Sequence, residues 1–189
     1  MALYPQLAAR EQQTFASGYL LGNFVMSAFT SGVTPPAVGS TVNHGFGCNV
    51  AFDVSLDGGN SWSHGTASNQ SGWMSTYHSS DYTQGGSTTS YFDEEIVFSI
   101  SASLDHSPWQ LMVRESPTRS SLGETVVVDP VPFTYSSFFD VFVEISVDGG
   151  QSWSPSNDTL HITTPEPSSL LALMGGLAFA APCLRRRRQ

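Results

Sequence analysis

Between Asn69 and Ser90 (NQSGWMSTYHSSDYTQGGSTTS), Trp73, Tyr77 and Tyr82 stand among Asn, Gln, Ser and Asp. Aromatic faces beside short polar side chains suit stacking on sugar rings, with amides and hydroxyls bonding the sugar hydroxyls. The plainer reading is a long β-loop whose aromatics pack back on a sheet. Asp93, Glu94 and Glu95 follow as the densest acidic cluster. Two carboxylates flanking a glycosidic bond can hydrolyse it, but adjacent residues on a strand face opposite ways, which argues against Glu94 and Glu95 acting together.

The remaining reactive side chains suggest less. His44, His64, His78, His106 and His161 show no i, i+4 pair and no His-x-His, and read as exposed loop residues rather than a metal centre. Cys48 has His44 four residues upstream but no recognisable third group to orient it, and reads as a small buried hydrophobe. No phosphate loop, nucleophile elbow or triad spacing is present. The residues therefore point to no catalytic group, no cofactor and no metal.

Composition narrows the classes further. The chain has 189 residues, a net charge of -9, no lysine and only 12% charged residues against 40% hydrophobic. That excludes a charge-driven disordered chain and a nucleic-acid binder. Four of the seven arginines are Arg185, Arg186, Arg187 and Arg188, so an acidic body precedes a basic tail.

The elements that must position these groups read as strands. Val50, Phe52, Val54 and Leu56 alternate with polar or small residues, as do Ile96 to Leu104, Trp109 to Val113 and Val141 to Val147, with a further strand over Thr125 to Val128. Ala16 to Phe29 reads as a buried strand pair or short helix. Short strands between Gly, Ser, Asp and Pro clusters predict an all-β body, an antiparallel β-sandwich of about eight strands over 1–163.

An octapeptide occurs twice, as Ser55-Leu56-Asp57-Gly58-Gly59-Asn60-Ser61-Trp62 and Ser146-Val147-Asp148-Gly149-Gly150-Gln151-Ser152-Trp153. The glycines supply positive φ, the aspartate can accept loop amides, and the tryptophan can cover the turn. The spacing predicts two equivalent hairpins. Both copies resemble the Asp-box of sialidases and other β folds, which implies structural turns at Asp57, Gly58, Gly59, Trp62, Asp148, Gly149, Gly150 and Trp153. The length is too short for a propeller, and three body arginines are too few for a sialidase site.

From Ser168 to Leu184 the chain runs 17 residues without charge, ahead of the four arginines. As a helix this would extend about 25 Å, the short end of a bilayer span. A buried core helix is the alternative. Pro165, Glu166 and Pro167 precede it in an extended segment suited to protease access. This order, over a segment 164–189, resembles the PEP-CTERM sorting signal of bacterial proteins. The stretch Arg114-Glu115-Ser116-Pro117, Ser137 to Phe142 and the second octapeptide is similar to uncharacterised planctomycete-type members of that group.

The resemblance implies an exosortase as partner, a membrane segment at 168–184 before cleavage, and exopolysaccharide as a candidate neighbour. It also implies a route from the bacterial membrane to the cell surface or extracellular space. Met1 to Arg10, with one arginine and a proline, does not read as the export signal such a route requires. The expected function is thus a non-catalytic, exosortase-sorted surface or matrix protein. The alternative is a polysaccharide-binding module or weak glycosidase using the 69–90 aromatic loop.

Overall fold

The computed structural model describes residues 6–9, 11–30, 35–105, 110–129 and 134–164. Their regular structure is all β, in twelve strands: β1 (Gln6–Ala9), β2 (Gln13–Thr14), β3 (Leu20–Ser27), β4 (Thr41–Ser55), β5 (Ser63–Gln84), β6 (Ser87–Leu104), β7 (Gln110–Glu115), β8 (Leu122–Asp129), β9 (Thr134–Val141), β10 (Val143–Ser146), β11 (Ser154–Pro155) and β12 (Leu160–Thr163). Every pairing is antiparallel.

Eight strands form a closed barrel in the order β6-β5-β4-β3-β1-β12-β9-β8, and the ring closes because β8 pairs both β9 and β6. Four shorter strands, β2, β7, β10 and β11, lie outside this ring. They continue its wall at one end: β6 changes partner from β8 along Thr88–Glu94 to β7 along Ser99–Ser103, β7 pairs β10, and β10 pairs β11. A bridge from Phe15, next to β2, to Ser156, next to β11, completes that second circuit.

The sandwich expectation is therefore corrected to a barrel. Alternation reveals that one face of a strand is covered, and a second sheet or the far wall of the same sheet covers it equally well. Strand length decides. β5 runs 22 residues and β6 18, and register shifts at Gly22/Val25 on β3, Cys48/Val50 on β4 and Thr66/Gly72 and His78/Ser80 on β5 bend the sheet; bulged strands curl one sheet until its edges meet. Closure also removes the free edges a sandwich leaves open.

The core fills the barrel. Phe24 stacks between Phe52 and Phe98 at ring distances of 6.4 and 6.1 Å, among buried Leu21, Met26, Val50, Ile100 and Val143. The alternations read at 50–56, 96–104 and 141–147 point inward except at the last positions of the first and third, where Leu56 is exposed and Val147 half-buried, and Ala16 to Phe29 supplies β3 rather than a helix.

No helix occurs among the described residues, and none is long and apolar enough to cross a membrane. Against the expected C-terminal helix, the membrane as a partner and the path from membrane to cell surface, every regular element among the described residues is a strand. The segment that carried them, with Pro165, Glu166, Pro167, residues 168–184 and Arg185 to Arg188, lies outside the described residues. His106 and Cys183 do as well.

Candidate functional site

The segment read as a loop over 69–90 is a hairpin. β5 runs through Trp73, Tyr77 and Tyr82, turns at Gly85 and Gly86 with φ of 61° and 85°, and returns as β6. Both turn positions demand the left-handed region, which glycine enters without steric cost.

Side-chain direction on β5 follows from its register. Met74 and Thr76 are buried toward the barrel, so Trp73, Ser75 and Tyr77 face outward. Tyr82 lies five positions after Tyr77, and in an unbroken strand that odd spacing would turn Tyr82 inward. The register shift between His78 and Ser80 inserts one residue. Tyr82 consequently returns to the outer face, opposite Thr89, and is 56% exposed beside 43% for Trp73 and 40% for Tyr77. By strand rise the three rings are spaced about 13 Å apart.

The bulge is pinned by His78, whose ring is buried against Phe92 at 4.4 Å. Its Nδ1 lies 2.9 Å from the Pro36 carbonyl oxygen and its Nε2 2.7 Å from Asp81 Oδ1. The backbone amide of His78 donates to Ser40 O, and Gly39 N donates back to His78 O, tying the 35–40 loop to the bulge. Hydrogen bonds from Ser90 and His78 hold the Asp81 carboxyl below its ordinary range.

The neighbours of the aromatic row are polar and acidic. Gly45 and Val97 flank Trp73, Asn43 and Glu95 flank Ser75, and Thr41 and Asp93 flank Tyr77. Gly45 has no side chain, leaving one side of Trp73 open as a hollow of about 250 Å³ shared with Asn43 and His44. His44 Nδ1 is buried with no partner among the described residues, and burial pushes its pKa down. On the other side lies a groove of about 460 Å³ at the fork where β6 leaves β8 for β7, lined by Val97, Arg114, Glu115 and Pro117. Burial raises the Glu115 carboxyl, a bond from Ser121 Oγ opposes this, and Glu95 and Glu144 add repulsion. Arg114 is engaged by Glu144 Oε2, at 2.7 Å from Nη2, and by the Trp153 ring at 3.9 Å.

Glu94 and Glu95 do point opposite ways. Glu94 is buried inside the barrel, accepting from Thr76 Oγ1 at 3.0 Å and from Thr125 Oγ1, and the Thr125 and Ser137 hydroxyls lie 2.6 Å apart. Hydroxyl donors from β5 and β8 thus hold a carboxylate inside the barrel, and Ser137 on β9 extends the network through Thr125. The other described histidines are strand residues, not loop residues: His64 pairs with Asp53 at 2.8 Å and His161 with Asp140 at 2.7 Å. Burial pushes the Cys48 thiol up to about 11, so it packs as an inert core group.

The octapeptide turns share one hydrogen-bond pattern. Ser55 Oγ donates to Asp57 Oδ1 and Ser146 Oγ to Asp148 Oδ1, both at 2.8 Å. Ser61 N and Ser152 N donate to the same oxygens at 2.9 Å, and their hydroxyls to Oδ2 at 2.6 Å. These bonds hold both aspartates at a pKa of about 2. Gly58, Gly59, Gly149 and Gly150 all have positive φ. The tryptophans differ. Trp153 Nε1 donates to Gly150 O at 3.0 Å and covers its turn, whereas Trp62 is 45% exposed and lies toward Gly22 on β3.

One concavity carried no sequence signal. Phe138 and His161, outward on β9 and β12, stack at 5.8 Å beside a cavity of about 390 Å³ reached by Glu11, Ser136 and Thr163. Only the pairing of β9 with β12 brings them together. The described residues hold no group of three or more His, Cys, Asp or Glu placed to bind a metal. Compared with known proteins, the chain matches no family model, no curated protein and no solved structure.

Proposed function

We propose that this barrel is a non-catalytic polysaccharide-binding module whose contact surface is the outer face of β5. The observation that carries this reading is the return of Tyr82, across the His78/Ser80 bulge, to the side that displays Trp73 and Tyr77. Exposed rings in a row offer stacking surface to successive sugars, and Asn43, Ser75 and Thr41 stand between them with amide and hydroxyl groups. A glycan array probed with the wild-type chain and with Trp73→Ala tests it. Retained signal in wild type and its loss in the variant support the reading; no bound glycan in either removes it.

A second reading concerns processing and rests on residue order alone. Pro165-Glu166-Pro167, the uncharged run 168–184 and Arg185 to Arg188 resemble the PEP-CTERM signal, and we propose cleavage there by an exosortase. Mass spectrometry of the mature C-terminus in a host with active exosortase decides it, since persistence of Arg185 to Gln189 contradicts cleavage.

A further inference from the structure

We infer that the outer face of β5 selects a neutral, extended polysaccharide chain lying lengthwise along the strand, an inference that rests on the glycan reading above. Three features of the face lead there.

The first is linearity. Trp73, Tyr77 and Tyr82 belong to one strand and are evenly spaced, so the row spans about 26 Å by strand rise. A single sugar or a disaccharide cannot reach all three rings. A polymer coiled by its linkages would touch one ring and leave the next, whereas a ribbon with equatorial linkages keeps its flat C–H faces along a straight line.

The second is charge. Outward neighbours of the row include Asp93 and Glu95 on β6, with Glu124 on β8 directly opposite Asp93. The chain has no lysine, and the guanidinium bordering the Trp73 groove, Arg114, is held by Glu144 and Trp153. A uronic-acid polymer laid here would meet carboxylates, with no free guanidinium among the described residues that border the row to receive it. A neutral chain meets hydrogen-bond acceptors that suit its hydroxyls.

The third is the shape around Trp73. The hollow over Gly45 on one side and the groove at the β7/β8 fork on the other leave both edges of the indole open, so Trp73 anchors the chain and Tyr77 and Tyr82 extend it. Linked contacts of this kind raise affinity with ligand length, because each added stacking event is intramolecular.

The test is calorimetric titration of the full chain with neutral β-1,4-linked glucose oligosaccharides of two to six units and with a galacturonate hexamer. We expect the glucose hexamer to bind at least tenfold more tightly than the dimer, and the galacturonate hexamer at least tenfold more weakly than its neutral counterpart at low salt. Tyr82→Ala should reduce the gain from dimer to hexamer at least threefold, and Tyr82→Phe should restore it. Equal affinity for dimer and hexamer overturns the lengthwise row, and tighter binding of galacturonate overturns the neutral class; either leaves glycan binding itself standing. Failure of every sugar in this series and on the array overturns both readings.

Discussion

Ser55 and Ser146 show how one side chain closes a turn. Each hydroxyl accepts from a glycine amide, Gly59 N at 2.8 Å and Gly150 N at 2.9 Å, while donating to its aspartate, and both serines are buried. Ser146→Ala leaves the Gly150 amide unsatisfied, so we expect a loss of about 1–2 kcal/mol in urea unfolding. The aspartates add a pH dependence of definite sign. Their folded pKa of about 2 is below the ordinary 3.8, so their contribution is complete above the unfolded value and disappears as pH falls through about 2. Urea midpoints measured from pH 5 to pH 2 should fall, and the Asp57→Asn/Asp148→Asn variant should show a smaller fall. The octapeptides and their hairpins were legible because spacing alone dictates the local bonds. That Trp153 covers its turn and Trp62 does not depends on Arg114 and Gly22, which are distant in sequence.

For the strands, the β5–β6 hairpin is the decisive element. Its bulge sets the parity of everything distal to it: deleting Ser79 leaves an even spacing of four between the two tyrosines, so the unbroken strand should still carry Tyr82 on the outer face. Binding of long glycans should therefore persist in that variant together with stacking at Trp73, as read by tryptophan fluorescence, and its loss would contradict the common face. Gly72 marks the tightest approach on β5: an added Cβ would lie 2.6 Å from the Val97 carbonyl oxygen and also meet the Phe46 ring. Gly72→Ala should therefore destabilise the barrel by about 1–3 kcal/mol in thermal or urea unfolding. Strands at 50–54, 96–104 and 141–145 could be read from alternation, but most of β5 could not. Its Ser, Thr, Gly and Asn content imitates a loop, and its strand state comes from pairing with β4 on one side and β6 on the other. The aromatic residues were visible as candidates, and their common face was not, because a bulge leaves no simple periodic trace.

In the molecule as a whole, closure governs both stability and display. β8 joins β6 to β9, and the shorter strands continue the wall, so β5 and β6 form part of a rigid cylinder instead of a free arm. Amides of β6 and β8 should exchange together with global unfolding, measured by hydrogen exchange; fast exchange in β8 would mean an open sheet. Sequence alternation could not distinguish this barrel from a sandwich, since both cover one face of every strand. The acidic body leaves the outer wall without lysine, and the glycan account depends on that wall as much as on three rings. The most direct test is NMR chemical-shift mapping of the chain titrated with a neutral β-1,4-linked glucose hexamer. The account requires the largest shifts at Trp73, Tyr77 and Tyr82 and at outward neighbours Asn43, Ser75 and Thr89; shifts confined to the Phe138–His161 cavity, or no shifts at all, would contradict it.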